Sequence, residues 1–222
     1  MAPSDPLTPT ARTTLRRHPE RGHADRAALY AILDEALVCH VGLGTDDGPV
    51  VIPTTHARHG DELVLHGSPA SRLLRGVAGE GTPVCVTVTV VDGLVLARSA
   101  FHHSVNYRSA VVFGDATAIE DPTAKAEALH RLVEHVVPGR MAEARPPSTK
   151  ELTGTLVLSV PLDEASVKVR TGPPVDDEPD LDLPVWAGVL PLSLTPGPPE
   201  GDPLQDHRVP VPPYVSRYAR PR

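Results

Sequence analysis

The sequence lacks the features that mark disulfide-rich proteins, nucleic-acid-binding proteins and membrane-spanning proteins. Its 222 residues include only two cysteines, Cys39 and Cys85, which favours buried thiols over a disulfide-stapled scaffold. The formal net charge is -7, which argues against sequence-independent binding to nucleic acid. The longest apolar run, 84–91, is far shorter than the roughly 20 residues of a membrane-spanning helix. We therefore expect a soluble domain that binds neither nucleic acid nor membrane.

The two ends of the chain differ in composition from its middle. The first twenty residues have no apolar stretch after their arginines, so the sequence predicts no secretory signal and a cytoplasmic location. Prolines, 26 in all, crowd into these residues and into 173–213. We expect a disordered N-terminal segment over 1–11, one folded domain over 12–192 and a proline-rich tail over 193–222.

Hydrophobic periodicity predicts few helices and many short strands. Helices are expected over 25–37, 69–77 and 122–136, the last capped by Asp121. Its predicted buried stripe consists of Ala126, Leu129, Val133 and Val136. Strands are expected at hairpin spacing over 37–43, 49–56, 62–66, 84–91, 94–98, 109–118, 155–160 and 166–170, with Asp92-Gly93 as a turn between the fourth and the fifth.

This order of elements predicts a mainly β fold, a six-stranded antiparallel split β-barrel with peripheral helices. Strand–helix alternation, which would indicate a parallel sheet, is missing. A barrel of about six strands is filled by its own side chains, since even about eight strands leave room for only one small ligand. A sizeable cofactor is therefore expected outside the barrel, in a groove that a second subunit could cover.

The segment 66–72 (HGSPASR) has the features of an anion site. Ser68 is expected to cap the short helix, with Pro69 at its first position. Backbone N–H groups and the positive end of the helix dipole then point at one spot, where Ser71 adds a hydroxyl and Arg72 a guanidinium. The two interpretations are a phosphate site and a capped surface helix with a solvated arginine.

A second segment, 99–109 (SAFHHSVNYRS), is polar and aromatic and lies between two predicted strands. Binding residues concentrate in such loops. His102 and His103 would point to opposite faces of a strand, and no third ligand has useful spacing, so no metal site is predicted. The remaining polar residues either donate hydrogen bonds to a ligand or are ordinary strand-end residues; they are Asn106, Tyr107, Arg108 and Ser109.

Two further features have open interpretations. His130, Glu134 and His135 have one spacer too many for a zinc-protease motif, and they are interpreted as a solvated helix face. Trp186 lies in an apolar island, 184–192, that follows an acidic loop. We expect this island to return to the domain, where Trp186 either patches the core or forms a wall on which a ligand ring stacks.

Long segments of the sequence resemble one known family. They are VCHVGL (38–43), VIPTTHARHGDELVLHGSPASRLL (51–74), VCVTVTVVDGLVLARSAFHHSVNYRSAVVFG (84–114), SVKVRTGPP (166–174) and VWAGVLPL (185–192). Together they resemble the pyridoxamine 5'-phosphate oxidase-like family of FMN-binding split β-barrel proteins, in the branch of flavin-nucleotide-binding proteins related to nitroimidazole-resistance reductases. The resemblance covers roughly 12–192.

The resemblance implies a homodimer with FMN in a groove between the subunits. Ser71 and Arg72 would hold the flavin phosphate, with His66 nearby, and Tyr107, Arg108 and Ser109 would form a second set of flavin contacts. The segment that would run along the isoalloxazine consists of Ile52, Pro53, Thr54 and Thr55.

Trp186 resembles the tryptophan near the end of pyridoxamine-phosphate oxidases. The arginine and histidine pattern that follows there is not evident in this sequence, so oxidation of pyridoxamine phosphate itself is not expected.

The resemblance implies an FMN-dependent oxidoreductase that passes electrons from a nicotinamide or organic donor to a small-molecule acceptor. A non-catalytic flavin-binding or storage protein is the alternative, and a haem- or deazaflavin-binding variant of the same barrel is a third possibility. No catalytic residue is assigned; His102 and His103 are candidates only because imidazole titrates near neutral pH.

Overall fold

The computed structural model describes residues 6–68, 81–204 and 208–219. The strands in these ranges are β1 (Gly22–His23), β2 (Val38–Thr45), β3 (Gly48–His59), β4 (Glu62–Gly67), β5 (Thr82–Leu96), β6 (Ser104–Ala118), β7 (Leu156–Pro161), β8 (Glu164–Arg170) and β9 (Gly188–Pro191). The α-helices are α1 (Arg26–Glu35), α2 (Pro122–Val136), α3 (Thr149–Thr153) and α4 (Pro213–Ser216). None of the helices described here is long and apolar enough to cross a membrane.

Six antiparallel strands close into a ring in the order β2, β3, β4, β7, β6, β5, and β5 pairs back to β2. β8 and β1 extend the ring beside β6, and β9 adds to the far end of β5. This confirms the predicted mainly β fold with a six-stranded barrel.

The barrel interior is filled by alternate residues of these strands. On β5, Val84, Val86 and Val88 point inward and are buried, as the alternating sequence predicts. They pack with leucines and valines of the other strands and with the buried face of α1. The interior is therefore a packed core, as expected for a barrel of this size.

The two longer helices begin where the sequence predicts. The Asp25 side chain caps α1 by accepting from the N–H of Ala27, and Asp121 caps α2 in the same way. α1 contributes Leu29, Ile32 and Leu33 to the barrel core. α2 covers the outer side of β3, β4 and β7 and forms a second, smaller core with them.

The predicted buried stripe of α2 is only partly right. Leu129 packs against the smaller core, but the fully buried residues are Ala128 and Leu132, and Val133 is exposed, so the face that meets the sheet is rotated from the expected one. The segment around His135 is not a solvated face either. His135 is half-buried and donates from Nε2 to the Ala36 carbonyl at 2.7 Å.

The Asp92-Gly93 dipeptide is not a turn, which corrects a second prediction. β5 continues through it as one strand, and the pairing register with β6 shifts between Val91 and Gly93. This irregularity is a β-bulge, which changes strand direction without ending the strand. Because the pairing continues, β6 begins at Ser104 and not near Ser109.

Both ends of the described chain contact the barrel. Leu7 is buried in the core, and its N–H donates to the Ala24 carbonyl, which differs from the disorder expected for 1–11. The apolar island of the tail does return, because β9 pairs with Leu96 to Gly93 of β5. Further on, the Tyr218 hydroxyl donates to the Val136 carbonyl at the end of α2.

Candidate functional site

The segment Ile52 to Thr55 lies on β3, where its side chains alternate between the two faces of the sheet. Ile52 packs against the barrel core, so it and Thr54 face inward. Pro53 and Thr55 face outward, opposite His40 and Val38 of β2 in the pairing register. The segment therefore presents two side chains, and not four, to the outer surface.

The second predicted set on β6 is divided in the same way. Tyr107 and Ser109 lie on the outer face, and Ser109 is paired with Thr89 of β5. Arg108 lies on the inner face at the end of the barrel, where it is paired with Val90. The outer residues of β3 and β6 share one face and are separated by β2 and β5, a distance of roughly 14 Å for three strand spacings.

A gap in strand pairing opens beside β5 on this face. β6 covers one side of β5 along its length, while the other side pairs with β2 as far as Thr87 and with β9 from Gly93 onward. Over 88–91, the described residues provide no strand partner on this second side. On this side, the backbone groups of β5 over 88–91 are therefore not taken up by a described strand.

A cavity of about 590 Å³ lies at this gap, a size typical of small-molecule sites. We call it the β5 cavity. Its walls are mostly apolar and come from the end of α1, from β2, β5 and β6, and from the chain after β9. The described residues that line it are Glu35, Ala36, Leu37, Val38, His40, Thr89, Val90, Val91, Asp92, Arg108, Leu192, Ser193 and Leu194.

Arg108 is held by two carboxylates at the edge of this cavity. Asp92 accepts from Nε at 2.9 Å and from one terminal nitrogen at 2.7 Å, and Glu35 accepts from both terminal nitrogens. These contacts with Asp92 and Glu35 raise the pKa of Arg108 further above its ordinary value. The guanidinium is therefore an ion-pair centre that joins α1, β5 and β6.

Asn106 is not a ligand donor, contrary to one of the two sequence interpretations. It is buried, donates to the Gly172 carbonyl at 3.1 Å and accepts from Arg170. It therefore fixes the turn that follows β8.

The two adjacent histidines lie in a loop, and not on a strand as the sequence suggested. Residues Ala100–His102 form a single 3-10 turn between β5 and β6. His102 contacts the carboxylate of Asp177 at 3.2 Å, and the ring of His103 donates to the Ser99 carbonyl. Both imidazoles have local partners in this loop and in the acidic segment after β8.

His66 is the best-defined polar group near the predicted phosphate segment. Its Nδ1 is buried and has no hydrogen-bond partner among the described residues. Burial lowers the pKa of this imidazole and so favours its neutral form. A buried, unpartnered nitrogen is unusual, because buried polar atoms are normally hydrogen-bonded.

The remaining predicted elements have different outcomes. Ser71 and Arg72, with the helix expected over 69–77, lie outside the described residues. Trp186 does not patch the core, because 67% of its surface is exposed and its ring packs against Gly188.

No group of three or more His, Cys, Asp or Glu side chains in the described ranges is placed to hold a metal ion.

Sequence reasoning missed three contributions to the β5 cavity: Glu35, Asp92 and the tail residues Leu192 to Leu194. The sequence predicts a turn at Asp92, and Glu35 has no local pattern because its partner Arg108 is 73 residues away. The tail residues have a partial signal in the sequence, because the apolar island over 184–192 predicts that this part of the chain returns to the domain.

Comparison with known proteins identifies one family and several similar structures. A family model described as pyridoxamine 5'-phosphate oxidase matches residues 25–169. No curated protein matches the chain.

Two solved structures have 41% sequence identity to the chain. The flavocytochrome Anf3 from Azotobacter vinelandii aligns over 95% of this chain and 97% of its own, with a TM-score of 0.87. The FAD and haem binding protein from Mycobacterium smegmatis aligns over 88% and 95%, with a TM-score of 0.83. A third structure, a proposed 5-nitroimidazole antibiotic resistance protein from Bacteroides thetaiotaomicron, has 26% identity over 67% of this chain and 86% of its own, with a TM-score of 0.56.

Proposed function

The chain belongs to the pyridoxamine 5'-phosphate oxidase-like family of flavin-binding split-barrel proteins, and from this premise we propose that it is a flavin-dependent redox protein. The observation that carries the proposal is the β5 cavity, an apolar space beside a strand edge that offers backbone hydrogen bonds. Such a place suits a flat ring with a polar edge. Once bound, the flavin itself supplies the hydride and electron transfer.

The residues of the chain would bind and orient the ring. Backbone groups of β5 over 88–91 are open to its polar edge, and Val90, Val91 and Leu192 provide apolar contacts that exclude water. The binding surface continues beyond the cavity on the outer face of the sheet. It is formed there by Pro53, Thr55 and Ser109. These residues support the flavin contacts expected for 52–55 and 107–109, with Ile52 and Thr54 acting through packing and Arg108 at the edge of the cavity.

The phosphate end of the flavin is proposed to lie at His66, Ser71 and Arg72. The Nδ1 of His66, which has no partner among the described residues, supports this proposal, because a phosphate oxygen would satisfy it. Because burial favours the neutral form of this imidazole, His66 would contribute chiefly a hydrogen bond. The positive charge at this end would then come from Arg72.

We also propose that two copies of the chain pair and cover the groove, with a small-molecule substrate entering beside the flavin. The outer face carries exposed apolar side chains, among them Val38, Val51 and Val91, next to Pro53. Exposed apolar patches of this kind mark interaction sites. The dimer would place this face against its copy and close the open side of the cavity.

The identity of the flavin is a separate part of the proposal. The sequence prediction is FMN, whereas the Mycobacterium smegmatis relative is described as binding FAD. FMN and FAD share the ring and the first phosphate, so the contacts proposed here apply to both. Chromatography of the flavin released from purified protein distinguishes them.

Haem is a second candidate group, because the two relatives with 41% identity are described as a flavocytochrome and as a FAD and haem binding protein. Haem needs an imidazole or similar axial ligand beside an apolar space. His40 lines the β5 cavity and is thus placed beside an apolar space, while His66 offers a buried Nδ1 that has no partner among the described residues. With both groups bound, the chain would transfer electrons between its own flavin and haem.

The absorption spectrum of the purified full-length protein tests the proposal. We expect flavin bands, with a Soret band if haem is also present, and bleaching of the flavin by NADH or NADPH without oxygen. Flavin that neither donor bleaches would favour the binding or storage protein. Colourless protein that does not take up added FMN, FAD or haem would refute the proposed function.

A further inference from the structure

We infer that the β5 cavity selects its occupant by charge, accepting a flat ring system without a negative charge and rejecting an anionic one. The selecting group is the Arg108 cluster, which we define as Arg108 with its partners Glu35 and Asp92. The inference rests on the proposed function, since it names the class of ligand that the flavin site takes in.

An arginine in a ligand cavity would ordinarily attract an anion, but Arg108 is occupied. Four of its hydrogen bonds go to carboxylate oxygens, two on Asp92 and two on Glu35. A guanidinium has five N–H donors in a fixed planar arrangement. Arg108 therefore has one donor left, and its charge is already balanced by the paired carboxylates.

The two carboxylates face a ligand in the same cavity. Glu35 and Asp92 line it together with Arg108, and their side chains are only 15% and 32% exposed. Partly buried charges are screened less by salt and water than surface charges. A carboxylate or phosphate brought to this edge would meet two like charges and only one cation, which is already paired.

The remaining walls favour a ring. Leu37, Val38, Val90, Val91 and Leu194 provide apolar surface, and the volume of about 590 Å³ is ample for two or three fused rings. Two ligands fit this description. One is the ring of the flavin itself, with its phosphate outside the cavity, and the other is a separate uncharged or cationic substrate.

Three naphthalene compounds of one shape test the inference on the purified full-length protein. They are 2-naphthol, which is uncharged at pH 7, 2-(aminomethyl)naphthalene, a cation, and 2-naphthoate, an anion. Calorimetric titration should give dissociation constants at least tenfold lower for the first two than for the anion. Equal or tighter binding of naphthoate would overturn the inference.

A double variant tests whether the Arg108 cluster is responsible. In Glu35→Gln/Asp92→Asn, Arg108 keeps its charge and loses both carboxylates, so naphthoate should bind at least tenfold more tightly than to the wild type. The matched control is Glu20→Gln/Glu127→Gln, which removes two negative charges from exposed positions outside the cavity and should change nothing. An equal gain in both variants would assign the effect to net charge and refute a local one.

A measurement on the wild type covers the case in which the double variant does not fold. Raising the salt concentration should weaken binding of the cationic probe relative to that of 2-naphthol, by a small factor because the carboxylates are partly buried. Binding of the cationic probe that strengthens relative to that of 2-naphthol as salt is added would contradict the inference.

Flavin fluorescence recorded during the same titrations distinguishes the two ligands. Release of flavin as a probe binds identifies the flavin ring as the natural occupant, and retention identifies a separate compound; both agree with charge selection. If the protein holds no flavin at all, the proposed function fails, whereas the order of the three probes still decides the inference.

Discussion

Asp176, in the chain after β8, forms an ion pair and a backbone hydrogen bond with Arg98, in the loop after β5. Its carboxylate accepts from the backbone N–H of Arg98 at 2.9 Å and from the guanidinium at 3.0 Å, and only 1% of its side chain is exposed. The same oxygen that binds the backbone of Arg98 also contacts the N–H of Ser99. One carboxylate thus orders the start of the tail that later forms β9.

Replacing this carboxylate should lower the thermal stability of the domain. Asp176→Asn keeps the shape of the side chain but removes the charge and one acceptor, leaving the Arg98 guanidinium without its partner. We expect the melting temperature to fall by several degrees, measured by circular dichroism. Asp177→Asn is the matched control, since Asp177 is exposed and should have little effect. Equal melting temperatures for the two variants would mean that the contact contributes nothing.

The effect of Asp176 should also depend on pH. Burial acts to raise the pKa of Asp176, but the hydrogen bonds from Arg98 and Ser99 outweigh it and hold the pKa below its ordinary value. A carboxyl whose pKa is lowered by folding stabilises the folded state above its unfolded pKa of about 3.9, and this is lost as the pH falls through the folded pKa. The difference in melting temperature between wild type and Asp176→Asn should therefore be largest near pH 7 and shrink below about pH 4. A difference that grows on acidification would contradict this sign.

The parts of the fold that the sequence predicts well are those decided by local chemistry. Asp121 followed by Pro122 defines the start of α2, because a capping side chain and a fixed φ angle act within one turn. The buried face of α2 could not be predicted in the same way. Its residues Ala128 and Leu132 are buried because of where Ala57 and Val64 lie on two distant strands.

The Asp92-Gly93 dipeptide shows the same limit at the candidate site. A turn and a bulge use the same residues, and the choice depends on whether the partner strand continues. β6 does continue, since Leu94 pairs with Val105 beyond the bulge. The sequence therefore proposes Arg108 as a site residue but cannot assign its partners Glu35 and Asp92, which only the folded ring brings to it.

His66→Ala tests the role of the buried imidazole with two separate signals. If Nδ1 binds the flavin phosphate, flavin affinity should fall by about 1.5–3 kcal/mol, the scale of a hydrogen bond to a charged group. If His66 binds haem iron, the Soret band should shift or disappear while flavin content is retained. His40→Ala distinguishes the second histidine, and His130→Ala, on an exposed part of α2, is the control. Unchanged spectra and affinity in His66→Ala would remove this residue from the site.

Arg72→Ala tests the phosphate segment predicted from the sequence. Loss of a guanidinium that binds phosphate should weaken flavin binding by about 1.5–3 kcal/mol, the scale of a hydrogen bond to a charged partner. The measurement is a titration of flavin-free protein with FMN and with FAD. Arg131→Ala removes an exposed arginine of α2 and should leave the affinity unchanged. Equal affinities for both variants would move the phosphate site elsewhere.

Gly93 sits at the β5 bulge, where it allows β9 to approach closely. A Cβ atom at this position would lie 3.0 Å from the Leu190 carbonyl oxygen and 3.1 Å from Val189 Cγ1. The first contact is with backbone, so side-chain rotation cannot relieve it. β9 would have to move outward, and the wall of the β5 cavity that follows it would move as well.

Gly93→Ala should therefore loosen β9 and open the cavity without unfolding the barrel. We expect a loss of about 1–3 kcal/mol in stability, the usual cost of overpacking, and faster proteolytic cleavage within 183–196. Flavin should dissociate more readily, because Leu192 and Leu194 no longer enclose it. Gly44→Ala is the matched control, since Gly44 lies on β2 with nothing within 4 Å of a Cβ. If both variants resist protease equally and retain flavin equally, β9 does not build the wall of the site, and the tail has no part in binding.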